Sequence, residues 1–237
     1  MDVLSPESSM VEEARIREAY ARRQQDARYS WFSPGHVFMT QERERQLLTL
    51  LEQHDFAPLR AKKVLEIGCG TGYWLREFMK WGVQPERIEG IDLLPDRVAE
   101  AKRLCPDAVR VRCGSAMTLP YPDATFDLVL QFTVLTSILD PNMKQQIASE
   151  MLRVLGPGGL ILWYDYHVDN PWNPDVRAIK KREIHQLFRG CRIELQRTTL
   201  APPMARWLAP RSWILAHLLG KIPLLRTHYL GVIHKSG

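Results

Sequence analysis

The sequence contains few cysteines, and their spacing offers neither a recognisable metal site nor a disulfide framework. Only four occur among 237 residues, with no Cys-x-x-Cys pair and no tight Cys/His cluster. Such spacings mark zinc sites and the disulfide scaffolds of small secreted domains. We therefore expect no bound metal, and reduced, mostly buried thiols at Cys69, Cys105, Cys113 and Cys191.

Long hydrophobic runs are also missing. No apolar stretch approaches the roughly 18 residues that a transmembrane helix needs. Residues 1–20 lack the basic segment and the apolar core of a secretory signal peptide. These absences predict a soluble, cytoplasmic protein, or at most one that touches a membrane peripherally.

Charge is distributed unevenly along the chain. The net charge is +5, yet the acids are concentrated in the first half, whereas the C-terminal quarter places Arg and Lys among Trp and Leu. This asymmetry favours an anionic partner or surface. A solvated basic face explains the same pattern, so both interpretations stay open.

Residues 1–60 are predicted to form a helical lid or cap ahead of a larger α/β unit. Apolar residues recur at helical spacing over Glu12–Gln25 and Gln41–His54, and an aromatic segment, residues 27–36, separates the two helices.

From residue 61 to residue 237, short apolar strands alternate with helices, which predicts a mostly parallel sheet covered on both faces. The strands are VLEIG, RIEGID, VRVRC, FDLVLQF and GLILWYDY, and helices are predicted over Tyr73–Trp81, Pro95–Leu104 and Asn142–Leu155. A helix from Asp175 to about Phe188 precedes strands at Arg192–Leu200 and His228–His234, with a helical insertion at about 202–225 between these strands.

The first strand breaks into a glycine-rich turn that leads into a helix. Glycines permit a tight turn and let backbone N–H groups approach a ligand closely. The next strand ends at Asp92, whose carboxylate can accept both hydroxyls of a ribose at the same edge of the sheet. A nicotinamide site would show G-x-G-x-x-G. Here the spacing is G-x-G-x-G, and the preceding Glu66 disfavours a diphosphate and tolerates a sulfonium amino acid.

Four ordered motifs resemble the class I S-adenosylmethionine-dependent methyltransferases, most closely their small-molecule (UbiE-type) branch. They are E-x-G-x-G-x-G at residues 66–72, the acid that closes the second strand, LPYPDATFDLVL and LRVLGPGGLIL, and they lie between about Lys62 and Asp165. The resemblance implies a Rossmann-like α/β fold: a mostly parallel seven-stranded sheet, helices on both faces and an antiparallel last strand. It also implies S-adenosylmethionine as the cofactor.

The resemblance further implies roles for individual residues around that cofactor. The glycine turn would line the methionine and ribose side, through Gly68, Cys69, Gly70 and Gly72. Glu66 would support the amino group, Asp92 would hold the ribose, and Leu93 would pack on the adenine.

The turn after the third strand departs from the family pattern. Ser115 stands where the family usually has an aspartate that bonds the adenine amino group. Ala116 would still offer a backbone N–H to the ring, and Met117 would cover its face, although simple core packing explains both residues as well. Gln131, which closes the strand FDLVLQF, would turn its backbone toward the methionine moiety.

Methyl transfer is an in-line displacement that requires alignment and, for a hydroxyl acceptor, removal of a proton. The fifth strand ends in a polar, aromatic cluster, and ligands of open α/β sheets bind beyond such strand ends. His167 and Asp165 are therefore candidate bases, with His167 favoured because an imidazole titrates at about pH 6.5. A helix-capping Asp165 and a surface His167 form the alternative interpretation.

Two further segments could contribute to the site. Arg28 and Tyr29 lie where the family places a lid and could contact the methionine carboxylate, although packing between the N-terminal helices explains them equally well. The Trp/Leu face of residues 202–225, with Arg206, Arg211 and Lys221, could receive a lipid-like acceptor or touch an anionic membrane. A core-facing stripe is the alternative.

The sequence thus predicts an enzyme that methylates a small-molecule or glycan/lipid-linked acceptor, on oxygen. A nucleic-acid methyltransferase is a second hypothesis, encouraged by the pI of about 9.1. The fourth strand disfavours it, because QFTV replaces the Asn/Asp-Pro-Pro-Tyr/Phe motif of amino-methylating DNA enzymes. A non-catalytic binding protein of the same fold is a third hypothesis, supported by Ser115. The residues indicate neither the acceptor's identity nor an oligomeric state.

Overall fold

The computed structural model describes residues 6–22 and 30–235, with side chains from residue 8 onward in the first segment. Seven strands form a single sheet in the order β3-β2-β1-β4-β5-β7-β6. They are β1 Val64–Ile67, β2 Ile88–Asp92, β3 Arg110–Cys113, β4 Phe126–Phe132, β5 Leu155–Tyr166, β6 Arg192–Leu200 and β7 Arg226–His234. The first five pair in parallel, whereas β7 lies between β5 and β6 and is antiparallel to both. The predicted fold class is confirmed.

Eight helices accompany the sheet in the described segments. They are α1 Pro6–Arg22, α2 Pro34–Gln53, α3 Tyr73–Lys80, α4 Pro95–Leu104, α5 Pro141–Val154, α6 Lys181–Leu187, α7 Pro202–Leu208 and α8 Trp213–Leu219. Several begin at proline, whose fixed φ suits the first helical turn. The start of α5 is also capped by Asp140, whose carboxylate accepts hydrogen bonds from the backbone of Asn142 and Met143.

Several predicted boundaries were wrong. The first helix begins at Pro6, not Glu12, and α2 begins at Pro34, not Gln41, because proline can start a helix ahead of the first apolar repeat. Part of the predicted aromatic loop is therefore helical. The helix predicted from Asp175 begins only at Lys181. Strand β5 begins at Leu155, ahead of the glycines, where its pairing with β4 shifts register.

The central strands of the sheet are buried on both faces, as expected for parallel strands flanked by helices. One core cluster joins α2, α3 and α4 to the sheet, and another lies on the opposite face with α5 and α6. Every residue of β1 and β2 is buried. This rigid centre places the carboxyl ends of β1, β2 and β4 side by side.

The insertion before β7 folds as α7 and α8, followed by a short 3₁₀ turn, Pro223–Leu225. A small third cluster attaches it to the start of α2, through Phe38, Leu200, Ala205, Leu208, Ala209 and Ala216. Within the described segments, every helix is too short or too polar to cross a bilayer.

Candidate functional site

The turn after β1 adopts a left-handed backbone that glycine alone accommodates easily. Gly68, Gly70 and Gly72 have φ of +63°, +53° and +74°. A Cβ added at Gly68 would lie 2.5 Å from Cγ2 of Val134. The glycine turn therefore passes close to the segment that follows β4. The surface at the carboxyl edge of the sheet stays open beside this turn.

Asp92 connects this turn to the end of β2. Its side chain is buried, its Oδ2 accepts a hydrogen bond of 2.8 Å from the Gly70 N–H, and its Oδ1 accepts one of 2.9 Å from the Leu94 N–H. Each carboxylate oxygen has two lone pairs, so both retain the capacity to accept a ligand hydroxyl. The backbone bonds hold the carboxylate in one orientation before any ligand arrives.

A cavity opens beside Asp92 and brings together several of the predicted residues. Its lining includes Gly68, Asp92, Leu93, Ser115 and Ala116, together with Phe132, Thr133 and Val134 from the end of β4. Met117, for which covering the adenine and core packing were both open, is half-buried against the core cluster that includes α5. Met117, Gly70, Gly72 and Gln131 are not part of the lining. Ser115 uses its Oγ to accept a 3.3 Å hydrogen bond from the Met117 N–H.

Helix α1 lies across this cavity. Ile16 and Tyr20 contribute to its wall, and the guanidinium of Arg97 lies 4.6 Å from the centre of the Tyr20 ring. Arg17 donates a 2.7 Å hydrogen bond to the carbonyl of Leu93. This hydrogen bond connects α1 to Leu93, the residue predicted to contact the adenine. Arg28 and Tyr29 lie outside the described residues.

Glu66 is a buried carboxylate with an unsatisfied oxygen. Its side chain is 2% exposed, and its Oε2 has no hydrogen-bond partner within the described part of the chain. Burial raises the pKa of this carboxyl well above its usual range, Asp92 raises it further, and Arg43 and Arg76 partly offset the effect. An ammonium group would satisfy such an orphaned carboxylate. This feature therefore fits the amino group of S-adenosylmethionine.

Arg43 of α2 is a candidate site residue, because its charge acts on Glu66, and sequence reasoning missed it. Its guanidinium is held between two rings, 4.5 Å from the centre of Trp74 and 4.6 Å from that of Tyr164. Its Nε is buried without a hydrogen-bond partner in the described structure. In sequence, Arg43 belongs to the charged run Gln41-Glu42-Arg43-Glu44-Arg45, which is typical of a solvated helix face. A cation fixed near Glu66 is suited to binding a carboxylate.

The end of β4 carries backbone strain beside the cavity. Thr133 has a φ of +59°, which is unusual for a β-branched residue. Its N–H donates a 2.8 Å hydrogen bond to the carbonyl of Tyr164. The Gln131 side chain accepts a 2.9 Å hydrogen bond from the Val134 N–H, while its Nε2 is buried without a partner in the described segments. Gln131 thus shapes the turn through its side chain.

The two candidate bases both lie at the end of β5, outside the lining of the cavity. Asp165 is fully buried, and its carboxylate accepts hydrogen bonds from the backbone and hydroxyl of Thr136 at 3.1 and 2.5 Å and from the Tyr166 N–H at 3.0 Å. Burial raises the pKa of Asp165 to about 6, although these hydrogen bonds act in the opposite direction. With three donors on its carboxylate, Asp165 orders the turn that follows β4.

His167 is buried rather than on the surface. Its ring stacks on Tyr229 with centroids 4.4 Å apart, and its Nε2 has no hydrogen-bond partner among the described residues. Burial lowers the pKa of the imidazole, and the charges of Arg197 and Lys180 lower it further. The ring is therefore neutral at pH 7, as a proton acceptor must be.

One group of possible metal ligands lies at the opposite edge of the sheet. Donor atoms of His54, Glu194 and His234 come within 4.8 Å of one another. The His234 Nε2 and the His54 Nδ1 are 3.2 Å apart, and Arg192 holds a Glu194 oxygen at 2.7 Å. Because the guanidinium competes for the carboxylate, we assign no ion to the cluster.

Parts of this chain are similar in sequence to known methyltransferases. Residues 64–159 match a protein family described as a methyltransferase domain. Norajmaline N-methyltransferase of Rauvolfia serpentina is 31% identical over 162 residues, which cover 65% of this chain and 53% of that protein. A probable chloroplastic tocopherol O-methyltransferase of Oryza sativa subsp. japonica is 27% identical over 179 residues, covering 69% of this chain and 47% of that protein. The chain spans about half the length of these curated relatives.

A solved structure of similar fold has ligands bound. The 1,6-didemethyltoxoflavin-N1-methyltransferase of Burkholderia thailandensis, with bound 1,6-didemethyltoxoflavin and S-adenosylhomocysteine, superposes with a TM-score of 0.66 at 18% identity. The alignment covers 100% of this chain and 93% of that one. At this identity the likeness establishes the fold.

Proposed function

We propose that this chain, whose residues 64–159 match a methyltransferase domain, is a class I S-adenosylmethionine-dependent methyltransferase that methylates a small-molecule or glycan/lipid-linked acceptor, on oxygen. The observation that carries this proposal is the pair of buried carboxylates at the glycine turn. Asp92 is oriented by two backbone N–H groups, and Glu66 has an oxygen without a partner in the described structure. Together they suit a ligand that has both a ribose and an ammonium group.

Each residue of the site has a distinct task in this proposal. When bound, S-adenosylmethionine supplies an electrophilic methyl group on its sulfonium. Asp92 accepts hydrogen bonds from the ribose hydroxyls, Glu66 pairs with the ammonium, and Arg43 binds the carboxylate. Leu93 and Ala116 offer apolar contacts for the adenine, and Ser115 replaces the usual acidic partner with a neutral hydroxyl.

An apolar acceptor is favoured by the aromatic surroundings of Arg43. The Phe132 ring lies against Trp74 with centroids 5.0 Å apart and against Tyr164 with centroids 6.2 Å apart. Such rings exclude water and align a flat or lipid-like molecule. One curated relative is described as a probable tocopherol O-methyltransferase and another as a norajmaline N-methyltransferase. A hydroxyl acceptor also requires removal of a proton, for which we propose the neutral His167.

Calorimetric titration tests the cofactor assignment. S-adenosylmethionine and S-adenosylhomocysteine should both bind, whereas NAD should not, because an acid beside the glycine turn repels a diphosphate. Tight NAD binding without S-adenosylmethionine binding would contradict the proposal. A screen of cell extract with methyl-labelled S-adenosylmethionine then identifies the fraction that accepts label. Cofactor binding without labelling of any fraction would favour a non-catalytic binding protein.

Glu66→Gln should change stability and cofactor binding in opposite directions. The folded state raises the pKa of Glu66, so the wild type loses stability as pH rises from the ordinary value through the raised one. The glutamine side chain of the variant cannot ionise, so the variant avoids this loss of stability. Its melting temperature without ligand should therefore exceed that of the wild type at pH 8 by a few degrees. It also lacks the charge that pairs with the ammonium, so its affinity for S-adenosylmethionine should fall about tenfold or more.

The pH dependence of binding provides a separate readout for Glu66. An ammonium ligand stabilises the ionised carboxylate, so binding to the wild type should release a proton and strengthen as pH rises toward the raised pKa. This dependence should disappear in Glu66→Gln. Glu89→Gln is a matched control, because Glu89 is also buried but pairs with Arg110 at 2.8 Å, away from the cavity. Equal affinity of the wild type and Glu66→Gln across pH would contradict the role of Glu66.

A further inference from the structure

The insertion between β6 and β7 exposes large apolar side chains instead of burying them. Ile214 is 74% exposed and Leu224 is 86% exposed. Other exposed apolar side chains of the same segment are Trp207, Trp213, Leu215, Leu218 and Ile222. A concentration of exposed apolar groups is uncommon on a soluble protein unless it contacts a partner. We refer to residues 202–225 as the α7–α8 surface.

The side of the insertion that faces the protein is made of smaller residues. Ala205 and Ala216 are fully buried, and Leu208 and Ala209 are nearly so. Trp213 reaches inward far enough to meet Phe38 with ring centroids 5.2 Å apart. Leu219 also packs against this cluster, whereas Ile214, Leu215 and Leu218 of α8 are exposed. The alternative interpretation, in which the Trp/Leu face packs into the core, therefore holds for only part of the segment.

The C-terminal part of the chain, which includes this surface, carries charged side chains of one sign. From Leu195 to Gly237 the sequence contains no Asp or Glu, and its cationic residues are Arg197, Arg206, Arg211, Lys221, Arg226 and Lys235. Arg211 lies over the Trp207 ring, with its guanidinium carbon 4.9 Å from the ring centre. One acid approaches from another element, because Glu42 of α2 contacts His217 at 3.1 Å. The surface thus combines apolar side chains with excess positive charge.

We propose that the α7–α8 surface docks on an anionic lipid bilayer. Tryptophan and basic side chains beside exposed aliphatic residues match the boundary between acyl chains and anionic headgroups. A second copy of the chain fits less well, since a two-fold contact would oppose two basic surfaces. A lipid acceptor would then reach the site beside α2. This consequence rests on the proposed methyl transfer, whereas the docking itself is independent of that proposal.

Sedimentation of the full chain with lipid vesicles tests the proposal. Vesicles of phosphatidylcholine with phosphatidylglycerol should bind the protein at least tenfold more strongly than vesicles of phosphatidylcholine alone, and raised salt should weaken the binding. The double variant Ile214→Ser and Leu218→Ser should lose at least tenfold in partitioning, as should Arg211→Gln with Lys221→Gln. All four residues are exposed, so these variants should keep the wild-type melting curve and affinity for S-adenosylmethionine.

Met10→Ser with Val11→Ser is the matched control, because these side chains are about 70% exposed on α1. Its binding to anionic vesicles should equal that of the wild type. Equal loss in the control and the α8 variant, or no preference for anionic vesicles, would overturn the proposal. A concentration-dependent dimer that the α8 variant abolishes, without vesicle binding by the wild type, would assign the surface to a second copy. Methyl transfer and vesicle binding are measured separately, so failure of one leaves the other interpretable.

Discussion

Replacing Asp92 by alanine is expected to weaken S-adenosylmethionine binding by about 10- to 100-fold, because hydrogen bonds to a charged group contribute about 1.5 to 3 kcal/mol. The carboxylate also accepts from the backbone of Gly70 and Leu94. Its loss therefore removes the ligand contact and also frees the two turns that it connects. Calorimetry with S-adenosylmethionine and S-adenosylhomocysteine measures the affinity, and thermal unfolding separates the loss of binding from loss of the fold.

Two further variants make the Asp92 result specific. Asp92→Asn keeps the shape but replaces one oxygen with a donor and removes the charge, so its affinity should lie between those of the wild type and the alanine variant. Asp127→Ala is the control, since the Asp127 carboxylate also accepts a backbone hydrogen bond, at 2.7 Å from Lys63 N, but at the amino end of β1. An unchanged affinity in folded Asp92→Ala would show that the carboxylate supports the turn without touching the ligand.

His167→Ala should lower kcat roughly 100-fold and leave the affinity for S-adenosylmethionine nearly unchanged, because a positioned base contributes about 100-fold or more to proton transfer. The pKa of His167 is lowered by burial, so wild-type kcat should rise with pH, and the midpoint of this rise should lie below the ordinary pKa of histidine. In the variant this rise should be absent. The measurement uses the acceptor that the labelling screen identifies.

His185→Ala provides the histidine control, since His185 is exposed on α6. It should keep wild-type turnover. If His167→Ala also turns over at the wild-type rate between pH 6 and 9, no proton leaves through His167, and catalysis rests on alignment of the donor and the acceptor. His36 would then be the next base to test, because burial and the charges of Arg43 and Arg206 lower its pKa.

The sequence by itself determined the succession of strands and helices along the chain and the edge of the sheet at which the candidate site lies. These features depend on local chemistry: apolar strands, glycines that accept a positive φ, and an acid at the end of β2. Asp92 could be assigned to this edge because the carboxyl ends of parallel strands lie at the same edge of a sheet, whatever the order of the strands. The boundaries of α1 and α2 could not be predicted from the sequence, since proline permits a helix to start before its apolar pattern becomes visible.

Only the tertiary structure decided which side chains from distant segments meet. Arg43 lies in a helix of alternating charges, and only its position between Trp74 and Tyr164 distinguishes it from its solvated neighbours. Asp165 lies near the end of a buried strand, and only the fold shows that donors from Thr136 and Tyr166 surround its carboxylate. In the insertion, spacing alone could not separate a core stripe from an exposed one, because burial depends on what another part of the chain places against each face.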